Sequence, residues 1–116
     1  PGRAIEALLA LRRRYPRDPR RAAAAFALGK VMFDQRQAYR QASDWFATSV
    51  SEQPEGPLAR EAAGRQLEAL RKTDDPEGAR RAAHVYLSKY PDGPHAAIAR
   101  AEVGDPHLDA ARRGSN

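Results

Sequence analysis

Tyr15-Pro16-Arg17-Asp18-Pro19 returns as Gln53-Pro54-Glu55-Gly56-Pro57 and again as Tyr90-Pro91-Asp92-Gly93-Pro94. The first prolines of the three phrases, Pro16, Pro54 and Pro91, stand 38 and 37 residues apart. Twelve residues before them lie Ala4, Ala42 and Ala79, and eight before lie Leu8, Phe46 and Ala83. Thirteen residues after them lie Gly29, Leu67 and Gly104. An internal period between about 20 and 50 residues is the mark of stacked helical units.

Each phrase closes one helical pattern and opens another. Ala4, Ile5, Leu8, Leu11 and Tyr15 recur at three- and four-residue steps, one apolar face of a helix over 3–15. Pro16 ends it, because the residue before a proline is pushed away from helical angles. Asp18-Pro19 then supplies an N-cap carboxylate and a proline at the first helical position, predicting a helix over 19–33 with Ala22, Ala25, Leu28, Gly29 and Met32 inward. A glycine inside a helix costs about 1 kcal/mol against alanine, so Gly29 predicts a close neighbouring backbone. The same reasoning places helices over 38–52, 57–72, 76–90 and 94–103, with Gly104-Asp105-Pro106 as the final break. No stretch alternates with the period of two that a half-buried strand requires. The expectation is an all-α chain of six principal helices.

At 116 residues the chain suits one domain with a modest core. Its hydrophobic content of 41% is largely alanine, which favours close helix–helix packing. No apolar run approaches the roughly 18 residues of a membrane span, and no targeting segment is visible. The chain opens at Pro1 without a methionine, as expected of a processed or excised piece whose anchor or address lies elsewhere. The absence of cysteine excludes disulfides, thiolate chemistry and cysteine-ligated zinc. Net charge is +5, with six arginines between Arg12 and Arg21.

Leu28-Gly29, Tyr39, Ala42, Phe46 and Pro54 place a small residue late in a first helix and Ala-x-x-x-Phe eight residues before a proline in a second. This pattern resembles the tetratricopeptide repeat. The next unit differs, with Leu67 where glycine is expected, while Ala79, Ala83 and Pro91 keep the second-helix pattern. Ala4, Leu8 and Pro16 match a second helix alone, and 94–104 matches a first helix alone. The resemblance covers 3–104 as two and a half to three units. It implies a right-handed α-solenoid of antiparallel helix pairs over 1–104, with 105–116 as a capping or flexible tail. The period exceeds the usual 34 residues or so, and Tyr-Pro closes two of the three second helices. That dialect is similar to repeats of bacterial envelope proteins such as the outer-membrane assembly lipoproteins and the coordinator of the Tol–Pal system. Phe26-Ala27-Leu28-Gly29-Lys30 and Tyr86-Leu87-Ser88-Lys89-Tyr90-Pro91-Asp92-Gly93 are also similar to repeat regions following FecR-type anti-sigma regulators. Either resemblance implies a periplasmic or envelope-associated protein-binding scaffold, in the second case within a signal-transduction regulator.

Tetratricopeptide arrays line their concave side with first helices. The resemblance therefore implies a groove carrying Ala23, Phe26, Lys30 and Phe33 from one unit and Glu61, Gly64, Arg65, Glu68 and Lys72 from the next. The family's clamp for a terminal carboxylate uses asparagines and lysines, and Ala23 and Phe26 occupy two of those places here. An apolar floor edged by Lys30, Arg65 and Lys72 suits an extended or helical segment with hydrophobic anchors. Phe26, Lys30, Phe33, Arg65, Glu68 and Lys72 are thus the expected contacts to a protein or peptide partner.

Arg12, Arg13, Arg14, Arg17, Arg20 and Arg21 form a second candidate, a basic patch for nucleic acid or anionic lipid. Against it stand the lack of interleaved aromatics beyond Tyr15 and a general preference for arginine over lysine along the chain. His84, His95 and His107 lack the i, i+4 spacing of metal pairs. Asp75 in Asp74-Asp75-Pro76-Glu77-Gly78 reads as a helix cap rather than a calcium ligand. No phosphate loop or nucleophile elbow is present. Neither catalysis, cofactor, metal nor small-molecule substrate is expected. Trp45 lies about 100° from Phe46 around its helix, either in the seam with the following helix or as an exposed anchor. The unpaired first helix should leave Ile5, Leu8, Leu9 and Leu11 uncovered and drive weak self-association, whereas Leu108 in the tail can cap Ile98 and Val103.

Overall fold

The computed structural model describes residues 2–104. They form α1 (Gly2–Arg14), α2 (Pro19–Asp34), α3 (Tyr39–Glu52), α4 (Ala59–Arg71), α5 (Pro76–Lys89) and α6 (Ala96–Val103). There is no strand among the described residues, and none of their helices is long and apolar enough to cross a membrane. Each helix packs mainly on its neighbours in sequence, α3 lying against both α2 and α4. The body measures 55 × 28 × 19 Å.

Four of the helix starts follow two rules. At Asp18-Pro19 and Asp75-Pro76 the carboxylate accepts a backbone N–H, from Arg20 in one case and Gly78 in the other, and the helix begins at the proline. At Gly56-Pro57 and Gly93-Pro94 there is no such side chain. The chain makes a turn instead, with Ala59 N–H donating to Gly56 O and Ala96 N–H to Gly93 O. Consequently α4 and α6 start two residues later than the prolines predict.

The core divides into two clusters that solve one packing problem with different side-chain sizes. Phe26, Ala42, Phe46, Ala62 and Ala69 form the first; Leu67, Ala83, Tyr86, Ala96 and Ala99 form the second. Where one unit has Gly29 and Phe46, the next has Leu67 and Ala83. A Cβ on Gly29 would lie 2.6–2.9 Å from three carbons of the Phe46 ring. The glycine is therefore required by an aromatic side chain, not by the close backbone that the sequence suggested. Leu67 departs from glycine because its partner in the cluster is an alanine. Gly104 has a different role from either: it ends α6 with φ of 71°, the left-handed cap that glycine adopts without steric cost.

The outermost member of each repeated column also differs. Ala42, Phe46, Ala79 and Ala83 are sealed in the core, whereas Ala4 is exposed and Leu8 half-buried, because α1 has only α2 as its principal neighbour. Ile5, Leu9 and Leu11 are likewise half-buried. If this stripe associates as the sequence suggests, light scattering will show mass rising with concentration, and Leu8→Ser will hold the chain monomeric. The expected tail cap through Leu108, together with His107, lies outside the described residues.

Candidate protein-binding face

The six arginines of residues 12–21 do not form one open patch. Arg12 is buried at 8% exposure, and its two terminal nitrogens reach the two Glu52 oxygens at 2.7 and 2.9 Å. Arg21 donates to the same carboxylate from Nε at 2.9 Å. Each arginine also donates to the other's backbone carbonyl, at 2.9 and 2.6 Å. Glu52 is the last residue of α3, where a carboxylate opposes the helix dipole, so the two guanidinium groups offset an intrinsically poor placement. Hydrogen bonding from Arg12 above all, then Arg21, holds its carboxyl below the usual glutamate range despite partial desolvation.

Arg20 pairs with Asp18 at 2.8 Å and stacks 4.0 Å from the Tyr15 ring centre. That leaves Arg13, Arg14 and Arg17 as exposed members without a carboxylate partner among the described residues. Two of the six arginines, Arg12 and Arg21, are thus spent on joining α1, α2 and α3, and a third, Arg20, on the cap of α2. Trp45, half-buried, belongs to the same junction, with the Arg12 guanidinium 5.1 Å from its ring centre.

The α2–α4 side carries a row of cations over aromatic rings. Lys30 Nζ stands 5.6 Å from the Phe26 centroid, the Arg65 guanidinium 5.0 Å from Phe33, and Lys72 Nζ 5.5 Å from Tyr39. Phe33 and Tyr39 meet edge to face at 5.1 Å. Arg65 reaches Asp34 at 3.5 Å and Glu68 at 4.0 Å, and its Nε is buried without a hydrogen-bond partner. Its fixed orientation therefore owes much to the rings it covers. Glu68 bonds the Nε2 side of His95, so a chain of polar contacts through Asp34, Arg65, Glu68 and His95 runs from α2 across α4 to the start of α6.

Two expected groove residues lie deeper than the sequence placed them. Phe26 is 7% exposed and packs 5.6 Å from Phe46 in the core, so it underlies the surface. Gly64 is sealed beneath the His95 imidazole, which a Cβ there would strike. Phe26→Ala should therefore lower stability by about 3 kcal/mol or more through the cavity left in the first cluster. Urea denaturation followed by circular dichroism checks this; an unchanged midpoint would contradict it. Lys30, Phe33, Arg65, Glu68 and Lys72 remain wholly or partly accessible.

Tyr39, Asp34 and His95, which the sequence does not single out as binding residues, complete this surface. Glu52 had a usable signal: its repeat counterparts are the cations Arg14 and Lys89, so a lone carboxylate at that position marks a local arrangement. Among the described residues, no cluster of histidine and carboxylate groups has the arrangement of a metal site. Comparisons with protein-family models, curated proteins and solved structures returned no match.

Proposed function

We propose that this chain is a non-enzymatic, tetratricopeptide-like α-solenoid module that holds a protein or peptide segment on its α2–α4 face. The observation that carries the reading is the row Lys30, Arg65 and Lys72 over Phe26, Phe33 and Tyr39. The half-buried Phe33 and Tyr39 rings offer apolar contact above the buried Phe26, and the cations around them select carboxylates and backbone carbonyls. The favoured ligand is an extended or helical segment with hydrophobic anchors beside acidic residues. The proposed setting, a bacterial periplasm or envelope complex including a FecR-like regulator, rests on the similarity of the repeat phrases.

Selection of displayed peptides on the immobilised chain tests this reading. Peptides enriched on the parent should lose affinity by about tenfold or more on Lys30→Glu/Lys72→Glu, given that opposed charges at an interface are replaced by like ones. Enriched peptides indifferent to both reversals would contradict it. Nucleic-acid binding through Arg13, Arg14 and Arg17 would instead weaken by about 0.9 log units per phosphate contact per decade of salt.

A further inference from the structure

A pocket of about 230 Å³ opens between the start of α2, the end of α3 and the turn before α4. Ala22, Ala23, Ser49, Pro57, Leu58 and Ala59 are among its lining residues. The volume is below the roughly 300–1,000 Å³ of small-molecule sites, which suits a single large side chain. The next unit of the same chain contains such a side chain at the corresponding position. With the 37-residue shift, Ser49 corresponds to Tyr86, Gly56 to Gly93, Leu58 to His95 and Ala59 to Ala96.

Tyr86 is 1% exposed, and its hydroxyl accepts the His95 N–H at 3.0 Å. Gly93 has to be glycine there, because a Cβ would run into that hydroxyl. In the earlier unit Ser49 turns its hydroxyl to Ala22 O at 2.8 Å, and the Leu58 N–H has no acceptor among the described residues. Gly56 keeps the small residue, although a Cβ there would meet only Gln53 of its own turn. Shape, donor and clearance for a phenol are thus present without the phenol.

We infer that this pocket receives a tyrosine side chain from a partner polypeptide, the phenol oxygen accepting the Leu58 N–H. Charge complementarity favours acidic residues beside that tyrosine. Arg17, two residues before the pocket-lining Pro19, is exposed without a carboxylate partner among the described residues, as are Arg13 and Arg14 at the end of α1, before the turn into α2. The site shares Ala23 with the proposed α2–α4 groove, and it stands or falls separately from that groove.

Amide chemical shifts of the labelled chain provide the test, with p-cresol, toluene, acetyl-Glu-Asp-Tyr-Asp-amide and acetyl-Lys-Lys-Tyr-Lys-amide as probes. The expected result is that p-cresol and the acidic peptide shift the Ser49, Leu58 and Ala59 amides. The acidic peptide should bind more tightly than the basic one, by a margin that closes as salt screens the charges. Ser49→Tyr should fill the pocket from within and raise the melting temperature. Ala23→Leu, at an exposed position that does not threaten folding, should block the mouth. Either change should weaken both ligands by about tenfold or more, one decade in Kd. Lys30→Glu/Lys72→Glu should leave p-cresol binding intact, which separates this site from the groove. The inference is overturned if no probe shifts those amides or if Ala23→Leu leaves the shifts undiminished. It is equally overturned if toluene and p-cresol bind while neither peptide does, or if the amides shift with protein concentration alone, which would assign the pocket to a small apolar ligand or to a second copy.

Discussion

Glu52→Gln is expected to lower the unfolding free energy by about 3 kcal/mol at neutral pH, the lower end of the range for breaking a buried charged network, since this one is only partly desolvated. The carboxylate accepts three hydrogen bonds from Arg12 and Arg21, and those arginines tie α1 and α2 to the end of α3. A glutamine offers one acceptor oxygen and no charge, leaving the buried Arg12 guanidinium with too little compensation. In the folded chain Glu52 titrates below its ordinary value of 4.5, chiefly because of the hydrogen bonds from Arg12. Its ionic contribution is therefore complete above that unfolded value and is lost as pH falls through the lower, folded one. The difference between parent and Glu52→Gln should accordingly shrink in acid. Urea titrations at a series of pH values check both statements. An equal difference at every pH would mean that the carboxylate charge plays no part in the junction.

Helix type and position were legible because the signals are local. Apolar steps of three and four residues, Asp-Pro caps and a recurring proline act within one or two turns of chain. Two of the starts shifted where Gly-Pro lacks a side-chain acceptor, a difference visible in the residues themselves once Asp18 and Gly56 are compared. The long-range partners were not legible. Gly29 announced a close approach without saying that Phe46 makes it, and Phe26 had the spacing of a surface residue while its ring turns into the first cluster. The arginine run was clear as composition, yet its use depended on Glu52, 31 residues from Arg21 and 40 from Arg12. Charge pairing across that separation leaves one trace, the lone carboxylate of Glu52 against Arg14 and Lys89 in the repeat, which names no partner. Tyr39 and His95 joined the candidate face for the same reason, through contacts fixed only when α4 comes to rest beside α2 and α6.

Gly29→Leu is expected to destabilise by about 3 kcal/mol, the upper part of the usual range for overpacking. Even the first carbon of the new side chain would lie 2.6 Å from the Phe46 ring, and both residues are enclosed on a helix pair that cannot open without losing the first cluster. Phe46→Ala alone should cost about 3–5 kcal/mol for the opposite reason, the removal of a buried ring. Combined, the two changes write into the first unit the sizes that Leu67 and Ala83 already have in the second. The central claim is that both units share one register and exchange bulk across it. The tyrosine pocket was recognised through the same correspondence. The direct measurement is a double-mutant cycle on Gly29 and Phe46 by urea denaturation, against a total stability that for a domain of this kind is about 5–15 kcal/mol. A shared register predicts that the double variant is more stable than the sum of the single losses allows, by about 1–3 kcal/mol, the coupling of residues in contact. Strictly additive losses, or a Gly29→Leu variant as stable as the parent, would contradict it.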